Sequence, residues 1–239
     1  MNMLEKKSHP LVETFHDNGF LYYVFDRAVN AELPLNKISH TVRMYNILIR
    51  EYEEPITEGI PRRWHDFEHI KEGVKAIVEV ESSFNGNINH VLLAWFNHDR
   101  VYRTVSSIDN EKSSAVLCYN DLLDAGWTSA QASRISELIL FTKHSNPPPP
   151  EDLEANLLVD IDLQRFGVDD FDAYMKLVEG VRAEYSMYTD EQWRKGRADF
   201  LKKFLEMKKG KIFLSPQFEK LNPNAVVNIN GELELLQKD

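Results

Sequence analysis

Apolar residues recur at steps of three or four along almost the whole chain, while clean two-residue alternation is scarce. Ile38, Val42, Tyr45, Ile49 and Tyr52 form one such series, and Ile70, Val74, Ile77 and Val78 another. That spacing gathers side chains on one face of an α-helix and would scatter them over both faces of a strand, so it commits the chain to helices packed on helices. Pro55, Gly59 and Pro61 separate these two series, and Phe84-Asn85-Gly86-Asn87 is a turn signal before the next. The run Val91-Leu92-Leu93-Ala94-Trp95-Phe96 has no polar side, as expected of a helix buried on most faces. Further helices are expected over 113–124, 129–143, from near Glu151 through Leu163, over 171–188 and 191–207, and from Ala225 to Leu236. Pro147 to Pro150 cannot continue a helix and form a stiff connector, Gly210 ends a helix, and 211–216 reads as extended.

The prediction is an all-α fold of eight to ten helices, a single domain over residues 1–239, a length sufficient for one sizeable core. The formal charge of −10 argues against stable nucleic-acid binding, which needs a basic face to displace counterions. Cys118, the one cysteine, excludes an internal disulfide and sits in an apolar run as packing. The first residues lack an apolar signal core, and no run reaches the roughly 18 apolar residues of a membrane span, so the expected location is the cytoplasm. An apolar helix face serves a core or a dimer equally, which leaves a homo-oligomer open.

Chemistry concentrates where the apolar run ends in His98-Asp99, two metal-capable side chains at the rim of a core helix. Upstream, His65 and His69 are four apart and share a helix face whose apolar stripe docks on the core. Asp160 and Asp162 interrupt the apolar segment Leu158-Val159-Asp160-Ile161-Asp162-Leu163, and a carboxylate at a core face is costly unless paired, hydrogen-bonded or metal-bound. A His from one helix, a His-Asp pair from a second and an Asp from a third would form a closed nitrogen and oxygen set suited to a divalent transition ion.

The order His, His-Asp, Asp resembles the HD superfamily of metal-dependent phosphohydrolases, and the finer pattern resembles one subfamily of predicted members. The likeness is carried by Arg63-Trp64-His65-Asp66-Phe67-Glu68-His69-Ile70, Ala94-Trp95-Phe96-Asn97-His98-Asp99-Arg100-Val101-Tyr102, Asp109-Asn110-Glu111-Lys112-Ser113-Ser114-Ala115, Thr142-Lys143-His144, Asp160-Ile161-Asp162-Leu163, Val181-Arg182-Ala183-Glu184-Tyr185 and Gly196-Arg197. It covers most of the chain from about Trp64 onward. The resemblance implies a helical HD-type domain, here with additional N- and C-terminal helices. It also implies a divalent metal (Mn, Ni, Co, Zn, Fe or Mg) held by His69, His98, Asp99 and an Asp of the last motif. Asp162 maps best onto that position, with Asp160 as the alternative. Asn97 stands where the subfamily more often has an apolar residue.

The implied activity is hydrolysis of a small phosphorylated metabolite, a nucleotide or another phosphomonoester. Asp99, Glu111 and His65 are the candidates for catalysis, with Glu111 or His65 handling protons. Arg63, Arg100, Lys143, His144 and Arg182 are the candidate phosphate contacts. Structural readings stand beside several of these: Glu111 as a favourable acid at a helix N-terminus, His144 as a partner of a helix C-terminus, Arg182 and above all Arg197 as salt-bridge partners. His9, His16, His40 and His90 are read as structural, and Trp193, Phe200 and Phe204 as core. Two other functions compete: the mixed-valent di-iron oxygenase branch of the superfamily, and a non-catalytic module that binds a nucleotide or metal. The di-iron branch needs two more His ligands between the His-Asp pair and the last Asp, an interval in which only His144 occurs.

Overall fold

The helical spacing becomes ten α-helices among the described residues: α1 (Asp17–Asn30), α2 (Ile38–Glu53), α3 (Phe67–Val80), α4 (Ile88–Asn97), α5 (Asn110–Ala125), α6 (Ser129–Phe141), α7 (Leu153–Leu163), α8 (Phe171–Glu184), α9 (Asp190–Lys208) and α10 (Asn222–Leu236). This computed structural model describes residues 17–33, 38–57, 59–104, 107–145 and 147–238. His9 and His16 lie outside the described residues, as does the His40 side chain. No strand forms among the described residues, and one isolated bridge joins Thr57 to Ile60. The all-α reading therefore holds. No helix among the described residues is long and apolar enough to cross a membrane.

Polar residues at the helix starts hold the free backbone N–H groups of the first turn. Asp66 accepts from the His69 N–H, Asn87 from those of Asn89 and His90, and Asp109 from that of Lys112. Thr128 with Gln131 and Thr189 with Gln192 form reciprocal capping boxes on α6 and α9. Two helices stop earlier than their spacing suggests. α6 ends at Phe141 because Thr142 closes it and His144 turns left-handed (φ 55°). α8 ends at Glu184, where the Arg182 guanidinium donates to the carbonyls of Tyr185 and Tyr188.

α4 is the centre of the core: Val91 to Phe96 are buried without exception, between α1, α3, α6 and α7. Burying each large side chain of this run contributes roughly 1.5–3 kcal/mol relative to exposure. α7 is nearly as enclosed and lies against α3, α4 and α6. Close approach of α3 to α4 depends on Gly73, where a Cβ would fall 2.1 Å from two carbons of the Trp95 indole. The segment 211–216, expected to be extended, forms no strand; side-chain acceptors take its N–H groups. Asn222 receives Ile212 and Phe213, and Asp160 receives Leu214 and Ser215.

Candidate metal centre

Three helices deliver the quartet. His69 lies in the first turn of α3, fixed there by the Asp66 cap. His98 closes α4 with Asp99 directly after it, and Asp162 sits near the end of α7. One ligand atom from each of His69, His98, Asp99 and Asp162 falls within 4.8 Å of all the others. Asp160 is excluded by helix geometry: two residues apart means about 200° around the axis. Its carboxylate therefore faces away and is taken up by the backbone N–H groups of Leu214 and Ser215 at 2.6–2.9 Å.

The donor set fits a divalent cation. His98 Nδ1 lies 2.7 Å from the Trp95 carbonyl, which fixes its proton there and leaves the Nε2 lone pair facing the cluster, the usual arrangement of a ligating imidazole. His98 Nε2 and Asp99 Oδ2 are buried and 3.0 Å apart, yet neither has an aligned hydrogen-bond partner. Unpartnered buried polar atoms are costly, and a shared cation would satisfy both. His69 Nε2 is 3.2 Å and His98 Nε2 3.5 Å from Asp162 Oδ1. Without a cation the two carboxylates favour a second proton on His98, which ligation would displace. Burial works against charge on His98, but Asp99 and Asp162 outweigh it and hold the imidazole well above its usual pKa. Both carboxylates are held below theirs despite burial, chiefly by His98 for Asp99, and by His144, His69 and His98 for Asp162. Burial lowers the pKa of His69, favouring the neutral ring that a metal needs.

A second ring of residues fixes this geometry. The Trp95 indole stacks on His98 at 4.3 Å between centroids, meets His69 edge-on at 4.8 Å, and donates to the Ile70 carbonyl. Buried Arg62 donates to the carbonyls of His65, Asp99 and Arg100 and so ties the two histidine motifs together. Glu184, fully buried, accepts from the backbone N–H groups of Arg63, Trp64 and His65 and pairs with His65 Nδ1 at 2.7 Å. These bonds, with the His65 charge, overcome burial and hold Glu184 down at about 2. Burial lowers the His65 pKa, but Glu184 and Asp99 more than offset it, so the net shift is upward. Sequence reasoning missed Arg62 and Glu184. Arg62 directly precedes the first motif and Glu184 lies inside another, but most of their partners are backbone atoms, which leave no pattern in side-chain identities.

A pocket of about 460 Å³ opens over Asp99 and Asp162. Of the predicted site residues, His65, Glu111, Lys143 and His144 line it. His144 Nε2 sits 2.9 Å from Asp162 Oδ2, and Lys143 pairs with Asp109 at 2.7 Å. Burial, with Asp99 and Asp109, raises the Glu111 pKa. Three predicted phosphate contacts are elsewhere. Arg100 is buried in a network with Glu51, Asp121 and Asn97, so its charge is neutralised within the protein. Arg182 is tied to Asp190 and to the carbonyls of the turn before α9. Arg63 is exposed and does not line the pocket; its backbone N–H serves Glu184. Asn97 likewise turns away, donating to the Leu93 carbonyl and accepting from Arg100.

Arg197 pairs with buried Glu232 at 2.7 Å, as the structural reading expects, while also bordering the pocket. His90 is structural, between Glu32 and Glu154. Phe204 is core, but Trp193 and Phe200 are not: both line the pocket, and Phe200 is 43% exposed. Cys118 is packing, its thiol pushed up to about 12 by burial.

No family model matches the chain, and neither a curated protein nor a solved structure matches it. Fold and site together define an all-α protein with a buried two-histidine, two-aspartate cluster that could hold a metal ion, an arrangement compatible with an HD-type site.

Proposed function

We propose that the protein is an HD-type, metal-dependent hydrolase of a phosphate ester in a small metabolite. The observation that carries this reading is the quartet His69, His98, Asp99 and Asp162, buried, under-partnered and open on one side to a pocket. Bound there, a divalent ion would polarise a phosphoryl oxygen and lower the pKa of a water molecule.

The chain's own groups supply the rest. Glu184 is ionised and accepts a hydrogen bond from the His65 Nδ1–H, so Nε2 is the nitrogen left for the pocket. When the P–O bond of the ester breaks and a water oxygen joins phosphorus, the departing oxygen needs a proton. His65 is suited to give it, because its raised pKa keeps the ring protonated further toward neutral pH. Glu111, with its pKa raised, is the group suited to take a proton from water. His144 and Lys143 stand where they can contact non-bridging oxygens. So few cations on the pocket wall favour a single phosphoryl group over a polyphosphate.

The test is phosphate release from a panel of phosphomonoesters and nucleotides with Mn, Co, Ni, Mg, Zn and Fe, against a His98→Ala, Asp99→Ala control. Release that exceeds the control with at least one metal is expected. None with any metal overturns the proposal. A nucleotide bound without conversion would move the protein to the non-catalytic reading, and two irons per chain with oxygen consumption to the di-iron one.

A further inference from the structure

Gly196 stands in the interior of α9, where glycine is less favourable than alanine. Three other helical glycines are explained by crowding: a Cβ on Gly73, Gly180 or Gly231 would fall within 3.0 Å of a neighbouring ring or carbonyl. A Cβ on Gly196 meets no heavy atom within 4 Å. Gly196 also lines the pocket. Trp193, Gly196 and Phe200 follow one another at the spacing of a single helix face, and that face borders the pocket rather than the core.

The pocket wall is therefore of two kinds. Asp99, Asp162 and His144 line it from outside α9, and Trp193, Gly196 and Phe200 line it from α9, with Tyr185 at 5.5 Å from Trp193 between ring centroids. Arg197, the cation that α9 places beside this face, is already bound by Glu232 at 2.7 and 3.1 Å. A second phosphoryl group would find no open cation there among the described lining residues of α9. A flat apolar ring would find aromatic faces and a gap in the helix surface. The volume of about 460 Å³ lies in the range of sites for drug-sized ligands (about 300–1,000 Å³), more than a lone phosphate fills.

We propose that the substrate's leaving group carries an aromatic ring that lies on α9 at Gly196, which makes Gly196 a specificity-determining residue. This rests on the phosphate-ester reading above. Phosphonates, whose C–P bond resists hydrolysis, allow a test by binding. Calorimetry on the full chain loaded with Mn compares 1-naphthylmethylphosphonate with methylphosphonate, and the readout is the ratio of the two Kd values. Stacking on aromatic side chains predicts a ratio of about tenfold or more in the wild type. Gly196→Leu, a good helix former, should keep the melting temperature at or above wild type and collapse the ratio to about twofold or less. Phe200→Ala, at a 43% exposed position, provides a second variant and should also reduce the ratio. Equal affinities in the wild type, or a ratio untouched by both substitutions, overturn the proposal.

The ring alone separates the two readings. Binding of 1-naphthalenemethanol that Gly196→Leu abolishes supports the α9 platform even if no phosphate ester is ever hydrolysed. Equal kcat/KM for aliphatic and aromatic phosphomonoesters overturns the platform and leaves the hydrolase reading intact.

Discussion

Gly73→Ala should disturb both the fold and the metal centre, because the added methyl would occupy space filled by Trp95. Its Cβ would lie 2.1 Å from two indole carbons and 2.4 Å from the indole nitrogen. Trp95 is 0% exposed, carries a hydrogen bond to Ile70 and stacks on His98, so it has nowhere to retreat. Overpacking of this kind costs about 1–3 kcal/mol. The gain from replacing a helical glycine, about 0.5–1 kcal/mol, offsets part of it. The expected net loss is about 1–2 kcal/mol in urea denaturation, accompanied by weaker metal binding in calorimetry because the displaced indole shifts the His98 ring. Trp95→Phe provides the decisive background. There the ring is smaller and Gly73→Ala should be neutral or stabilising, giving a coupling of about 1–3 kcal/mol in a double-mutant cycle. Additivity within about 0.5 kcal/mol would show that the α3–α4 approach does not depend on this contact.

Asp162→Asn should abolish stoichiometric metal binding by mass spectrometry, whereas Asp160→Asn should retain it and lose about 1–3 kcal/mol of stability, since Asn loses the carboxylate charge and sets an NH2 donor where Oδ1 now accepts from Leu214. Glu184 makes stability acid-sensitive. Its folded pKa, about 2, lies below the ordinary 4.5, so its contribution is complete above pH 4.5 and is lost as the pH falls toward 2. At 1.36 kcal/mol per unit the window is worth up to about 3 kcal/mol. Denaturation midpoints should fall more steeply there in the wild type than in Glu184→Gln; equal slopes would refute the assignment. At His144, with φ 55°, glycine should be more stable than alanine by about 1–2 kcal/mol in urea denaturation, and on the proposed hydrolase reading both should lower phosphate release.

The helices could be read from the sequence because they are written in spacing, whereas the quartet was implied by the resemblance, with Asp160 still beside Asp162. A steady period marks α2 through α10, and two acids inside an apolar helix mark α7. What spacing leaves open is which neighbour a helix face meets. Trp193 and Phe200 repeat at the same period as Phe204, yet two border the pocket and one the core. The arginines show the same limit. Arg100 finds Glu51 and Asp121 at 49 and 21 residues' separation, and nothing local announces that pairing. Asp160 against Asp162 needed the course of 211–215, whose side-chain-held N–H groups resemble a strand in composition alone.

That segment gives α7 two occupations at once. One carboxylate holds the chain beyond Gly210, and the other, two residues on, faces the cation site. If a cation binds at Asp162, any coupling through α7 between that binding and the docking of 211–215 acts by the same factor in both directions. Metal affinity thus becomes a gauge of how firmly the far end of the chain is seated. Loosening the hold of Leu214 and Ser215 on Asp160 should register as weaker cation binding by the quartet, to which neither residue belongs.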